Sequence, residues 1–254
     1  MTENAAASKP VLIVLHQELS TPGRVGHYFQ ARGIATDIRR PRYGDPLPDT
    51  LEGHRGAVIF GGPMSANDPD DFIRAEIEWT KVPLREQKPF LGICLGAQML
   101  ARQLGGTVAF HPQGMAEVGY YPIQVTAKAH EVVETWPAVV YQWHREGFDL
   151  PPGAELLAEG DLFKVQAFRY GPAAFGIQFH AEVTHAMMCR WTTRGHERLA
   201  LPGAKPRAAH FTDRPVYDLA IRTWLFDFLD RWTAPGDTLP VSDPDGEKMP
   251  ATDR

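Results

Sequence analysis

Pro89-Phe90-Leu91-Gly92-Ile93-Cys94-Leu95-Gly96-Ala97-Gln98 changes its period at a single residue. Up to Ile93 the run is short, continuous and apolar, as in a strand buried on both faces of a parallel sheet. Beyond it, Ala97, Leu100, Ala101 and Leu104 recur at i, i+3, i+4 and i+7, which predicts a helix over 96–104. Gly105-Gly106 supplies its stop. Cys94 stands at the junction, flanked two residues away on each side by Gly92 and Gly96. A sharp strand-to-helix turn of the form G-x-C-x-G holds its central residue in a strained conformation and displays the side chain. The small neighbours avoid collisions, and the helix N-terminus directs free N–H groups and a positive dipole end at the sulfur. That favours thiolate, the reactive form. A lone cysteine is usually a small buried hydrophobe; the two glycines and the change of period set Cys94 apart. Cys189 has no such setting and is read as packing.

Outward from this junction, strands alternate with helices. Val11 to Leu15 and Ala57 to Phe60 are further buried strands, the first ending at His16 and the second stopped by Gly61-Gly62-Pro63. Helices are expected over 26–32 and 72–80, a short strand over 34–38, and a Pro- and Gly-rich loop over 41–48. Residues 107–168 read as short strands and turns, best at 139–143, 156–158 and 165–168. A late strand is expected over 174–180 and an amphipathic helix over 216–232, with Leu219, Ile221, Trp224, Leu225, Phe228 and Leu229 apolar. An α/β fold follows: a mixed, mostly parallel sheet flanked by helices, with antiparallel additions. The domain is expected over 10–233, between a flexible 1–9 and a disordered, Pro-, Asp- and Gly-rich tail over 234–254.

Bulk properties narrow the function. With 254 residues the chain accommodates one large α/β domain. The net charge of −5 gives no broad basic footprint for nucleic acid or an anionic membrane. No apolar run approaches the roughly 20 residues of a membrane span, and the N-terminus lacks a signal-peptide core. Two cysteines make no disulfide framework, so a reducing, cytoplasmic location is expected. No Cys/His cluster has metal-ligand spacing, and no phosphate-cradling glycine loop is present. No metal or cofactor is therefore expected.

Phe175-Gly176-Ile177-Gln178-Phe179-His180-Ala181-Glu182 is a strand ending in H-x-E. Residues two apart in an extended chain share a face, so Glu182 can orient the His180 imidazole. Parallel sheets gather functional groups at the C-terminal ends of their strands, which brings Cys94 and His180 to one edge. Asp149 or Asp161 with His180 or His210 would give the other chain order of nucleophile, acid and histidine, and stays open here. Gly61-Gly62 lets backbone N–H groups approach a ligand, and one of them with the Leu95 N–H could bind a developing oxyanion. An ordinary tight turn is the simpler reading of that pair by itself.

Together, Ala57-Val58-Ile59-Phe60-Gly61-Gly62-Pro63-Met64-Ser65, Pro89 to Gln98 and Gly176 to Glu182 resemble the class I, triad-type glutamine amidotransferases. The likeness runs in order over about residues 10–232, and is nearest in look to the glutaminase domain of the GMP synthetases and their stand-alone relatives. The resemblance implies a flavodoxin-like fold and glutamine hydrolysis through a thioester. It makes Cys94 the nucleophile, His180 the base and Glu182 its orienter. It makes Gly62 and Leu95 the oxyanion donors beside Gly61, and puts Gln98, His144 and Arg145 at the substrate. Ala181 stands where the family often has Pro, and Trp143-His144-Arg145-Glu146 where relatives commonly read His-Gly-Asp. Any ammonia acceptor would be a synthase subunit on a separate chain. Some stand-alone relatives are γ-glutamyl peptidases, an alternative with the same triad; a non-catalytic binding module would not require that triad.

Overall fold

The apolar run at the start of the chain is buried on both sides. In the computed structural model, which describes residues 9–234, Val11, Ile13 and Leu15 enter one core and Leu12 and Val14 the other. This alternation makes the sheet a wall between two helical layers. The first half of the chain contains β1 (Val11–Val14), α1 (Gly23–Ala31), β2 (Thr36–Arg39) and β3 (Ala57–Ile59). It continues through α2 (Asp71–Trp79), α3 (Lys81–Arg85), β4 (Phe90–Ile93) and α4 (Leu95–Gln103). The second half adds β5 (Val108–Phe110), β6 (Glu117–Pro122), β7 (Gln124–Val125), α5 (Ala127–Val132), β8 (Val139–His144) and β9 (Glu146–Phe148). It closes with β10 (Ala154–Glu159), β11 (Val165–Tyr170), β12 (Ala174–Ile177), α6 (His185–Arg194) and α7 (Arg207–Trp232).

Eight strands form the main sheet in the order β2-β1-β3-β4-β12-β11-β10-β7. The first five are mutually parallel, and the last three alternate antiparallel. Two small antiparallel pairs, β5-β9 and β6-β8, complete the strands. The expected fold class therefore stands: a mixed, mostly parallel sheet flanked by helices. The order reverses between β1 and β3, the topological switch at which such sheets bind ligands beyond their strand C-termini.

Several boundaries differ from the sequence reading. The last helix begins at Arg207, not Val216, and runs through Pro215. Proline removes one helical hydrogen bond and normally ends the run, but the added turns are anchored by His210. That side chain is fully buried and bonds the Tyr141 hydroxyl and the Lys205 carbonyl. Leu219, read as part of the apolar face, is 62% exposed; the buried stripe is Ile221, Trp224, Leu225, Phe228, Leu229 and Trp232. Within 107–168 the chain forms the helix α5 as well as strands. Helix α6 was not expected; Thr184 caps it, accepting from the Met187 N–H. Cys189, on α6, is half-buried with Sγ near His185 Nε2, and not a core residue. The expected terminal segments lie, apart from residues 9 and 234, outside the described residues. Among the described residues no helix is long and apolar enough to cross a membrane.

Candidate active site

Cys94 is the residue between β4 and α4, and its backbone has φ 51° and ψ −104°. A positive φ in a non-glycine residue costs on the order of 1–3 kcal/mol and persists only where the surroundings enforce it. Here they do. A Cβ on Gly92 would lie 2.5 Å from the Gly96 carbonyl group, and one on Gly96 would lie 2.1 Å from the Ile59 oxygen. Both glycines of the G-x-C-x-G run are thus required by backbone packed on backbone. The turn leaves the Leu95 N–H at the first position of α4, with no carbonyl partner among the described residues.

His180 and Glu182 follow β12, the parallel neighbour of β4. The His180 Nδ1 lies 2.7 Å from Glu182 Oε1. A carboxylate there can only accept, so Nδ1 carries a proton and donates it to Glu182. Nε2 has no oxygen or nitrogen partner among the described residues. The ring lies beside Cys94: a Cβ on Gly61 would lie 2.8 Å from His180 Cε1 and 3.4 Å from Cys94 Cβ. Trp191 covers the imidazole edge-on at 4.9 Å between ring centroids. Burial by itself pushes the imidazole down; the Glu182 carboxylate and then the Cys94 sulfur push it up, and the result is about 10. The site therefore favours the imidazolium form of His180.

The backbone of the H-x-E segment is tied down from the far side. The Arg24 N–H donates to the Glu182 carbonyl at 2.9 Å, and the Arg24 guanidinium reaches the Ala181 carbonyl and Asp218 on α7. Gly23, at φ +52°, passes so close to the Glu182 carbonyl that a Cβ would meet it at 2.3 Å. The other chain order of acid and histidine is not assembled. His210 is committed to Tyr141 and Lys205, and the carboxylate on His180 is Glu182.

Cys94, His180, Gly61 and Gly62 line one side of a cleft of about 460 Å³. Gly61 and Gly62, beyond β3, have N–H groups with no acceptor among the described residues. The other expected substrate residues are not brought to this cleft. The Gln98 amide nitrogen bonds the Glu146 carbonyl and Gln178 Oε1. His144 is spent on the Glu146 carbonyl and Glu117 Oε2. Arg145 is exposed, with its guanidinium 5.2 Å over the Phe110 ring. The cleft is lined instead by residues of α6 and the 3₁₀ turn His196–Ala200, among them Arg190, Trp191, Arg194 and Arg198. Burial lowers the Arg198 guanidinium from the ordinary arginine value, and the Cys94 sulfur opposes that shift. These residues were missed because α6 was; the i, i+4, i+8 spacing of the three arginines was the available signal.

Fold and site define a class: an α/β protein with a cysteine on a strained strand-to-helix turn, beside a carboxylate-anchored histidine at the strand C-termini. Residues 19–190 match the model of the family Glutamine amidotransferase class-I. The glutamine amidotransferase-like protein YfeJ of Salmonella typhimurium is 30% identical over 183 residues, covering 68% of this chain and 76% of that one. The glutamine-hydrolysing GMP synthase subunit of Ignicoccus hospitalis is 35% identical, covering 56% of this chain and 74% of that one. The GMP synthase of Porphyromonas gingivalis is matched over only 27% of its own length. Among solved structures, the Methylobacillus flagellatus glutamine amidotransferase superposes with a TM-score of 0.83 at 26% identity, covering 95% of this chain and all of that one. The chain belongs to the class-I glutamine amidotransferase family.

Proposed function

We propose that this enzyme hydrolyses the γ-amide of glutamine through Cys94, His180 and Glu182. The observation that carries the reading is Cys94 beside a histidine whose other nitrogen is fixed by Glu182, with the N–H groups of Leu95, Gly61 and Gly62 without acceptors among the described residues. The sulfur attacks the γ-carbonyl carbon, and the carbonyl electron pair moves to an oxyanion held by the N–H groups of Leu95 and Gly62. Collapse expels the amide nitrogen, which takes the His180 Nε2 proton and leaves as ammonia. The remaining γ-glutamyl thioester is attacked by water, which gives its proton to His180. Glutamate departs and the thiolate–imidazolium pair is restored. Glu182 holds the imidazole throughout without taking the proton. Of the four arginines that line the cleft, Arg42, Arg190, Arg194 and Arg198, half-buried Arg198 is assigned here to the substrate α-carboxylate in place of Arg145.

Transfer of the ammonia to an acceptor on a separate synthase subunit is part of this reading, supported by relatives that are themselves subunits. A free Cys94 thiol suits a reducing compartment such as the cytoplasm. The cleft continues past Cys94 to Leu19, Arg42 and Tyr43. Room in the cleft for a group beyond the γ-carbonyl favours γ-glutamyl peptide hydrolysis as the second reading. Ammonia release from glutamine, measured beside cleavage of γ-glutamyl dipeptides in wild type and Cys94→Ala, tests both. Glutamine turnover lost in Cys94→Ala supports the first reading. Dipeptide cleavage without glutamine turnover transfers the assignment to the second. Turnover of either substrate surviving in Cys94→Ala refutes the mechanism.

A further inference from the structure

A second buried glutamate–histidine pair lies behind the oxyanion loop. His16, just past β1, and Glu76, on α2, are both fully buried. The His16 Nε2 is 2.8 Å from Glu76 Oε2, and its Nδ1 is 3.1 Å from the Gly61 carbonyl oxygen. A carbonyl oxygen can only accept, so Nδ1 carries a proton. One further proton lies between Nε2 and Oε2, and the pair is neutral overall whichever atom holds it. Such a pair is costly to place in a core, and the triad does not use it.

Among the described residues, the one backbone group it grips is the carbonyl of the peptide joining Gly61 to Gly62. In a planar trans peptide the carbonyl and the N–H point in opposite directions. Fixing the Gly61 oxygen toward His16 therefore fixes the Gly62 N–H away from it, and Gly61 itself abuts His180 and Cys94, where a Cβ would lie 2.8 and 3.4 Å from their atoms. The fit is close: a Cβ on Gly62 would lie 3.1 Å from His16 Cβ and 3.1 Å from Leu95 Cδ2. A flexible Gly-Gly peptide would otherwise rotate freely, since neither residue has a Cβ to restrict it. We propose that His16, oriented by Glu76, is a positioning residue that locks the Gly61-Gly62 peptide with the Gly62 N–H aimed at the developing oxyanion. This rests on the proposed hydrolysis for its catalytic consequence but not for its geometry.

Two double variants isolate the donor. His16→Leu with Glu76→Leu removes the grip while replacing the polar pair by apolar groups, an exchange that cores commonly tolerate. His16→Asn with Glu76→Leu restores an N–H at the place of Nδ1. With glutamine or γ-glutamyl-p-nitroanilide as substrate, the Leu/Leu protein is expected to lose about 10- to 100-fold in kcat with KM unchanged, short of the full loss of an oxyanion donor. The Asn/Leu protein is expected to recover most of that loss. In the substrate-free protein the Gly62 amide NMR resonance is expected to broaden or double in Leu/Leu and to be single in wild type and Asn/Leu. If Leu/Leu does not fold, His16→Gln replaces it, keeping the Glu76 partner but withdrawing the donor to Gly61. Equal kcat in Leu/Leu and wild type, equal loss in both double variants, or an unperturbed Gly62 resonance would overturn the proposal. A wild type that turns over neither substrate refutes the proposed hydrolysis instead, and the Gly62 resonance then decides the positioning by itself.

Discussion

Gly96→Ala sets two known effects against each other. Alanine in a helix is favoured over glycine by roughly 1 kcal/mol, so propensity predicts a more stable protein. The new Cβ, however, would sit 2.1 Å from the Ile59 oxygen and 2.8 Å from its carbonyl carbon, both backbone atoms of β3. Carbon and oxygen normally approach to about 3.3 Å, so the start of α4 must move away from β3 by about 1 Å. Overpacking of this kind typically costs about 1–3 kcal/mol, and here no flexible side chain can yield. The clash therefore outweighs propensity, and the melting temperature is expected to fall by a few degrees, at roughly 2–4 °C per kcal/mol for this size. The displacement also separates Cys94 and the Leu95 N–H, which ride on α4, from the Gly61-Gly62 loop, which rides on β3. Misplacement by about 1 Å can cost about 100-fold in rate, so kcat for ammonia release should fall by that order. Gly53→Ala is the control, since a Cβ there meets nothing within 4 Å; both stability and rate should hold. A Gly96→Ala enzyme with wild-type kcat would refute the reasoning, because the close approach of α4 to β3 would then not position the nucleophile.

Other outcomes follow from the same geometry. Cys189→Ala should retain hydrolysis, while Cys94→Ala should lose it and still fold; steady-state ammonia release and circular dichroism check both. Glu182→Gln should be less damaging to kcat than His180→Ala, because the nucleophile and the oxyanion donors remain. His180 has its folded value raised from 6.5 to about 10. Its charged form therefore contributes stability that is fully present below about pH 6.5 and is lost as pH rises through about 10. In Glu182→Gln the imidazole titration followed by NMR should move down, since a raising carboxylate is gone; an unmoved titration would show that Glu182 does not set it. Arg198→Ala should raise KM for glutamine more than it lowers kcat, whereas Arg145→Gly should leave KM unchanged. The reverse pattern would return the carboxylate end of the substrate to Arg145.

The inner sheet was legible because β1, β3 and β4 are short, apolar and buried along their length, and they were found within one residue of their bounds; the edge strand β2, Thr36–Arg39, is polar and half exposed. The elbow and the H-x-E were legible for the same reason: their chemistry is local, carried by spacing within a few residues. What escaped was non-local. His16 was visible as a polar residue ending a strand, but nothing nearby in sequence marks Glu76 as its partner. Helix α6 carries a Thr cap and an apolar pair, Met187 and Met188, yet Cys189 and two arginines blur its face, so the cleft wall with Arg198 was lost with it. Gln98 and His144 read as ligands because of where they fall in the family's pattern; in the folded chain both amide and imidazole face neighbouring backbone and side-chain acceptors.

The position of β4 in the sheet has a consequence for how the molecule comes into being. Its neighbour on one side, β3, is made shortly before it, but its neighbour on the other, β12, pairs Ala174 with Phe90 and is made long after. Until that late segment is synthesised, β4 is an open edge carrying a displayed thiol, with neither the histidine nor its carboxylate beside it. Such pairing at long sequence separation is slow to form and leaves unpaired edges exposed meanwhile. A nascent chain that has emerged only as far as β11 therefore carries Cys94 without His180 and Glu182, which the chain brings beside it only once β12 docks on β4.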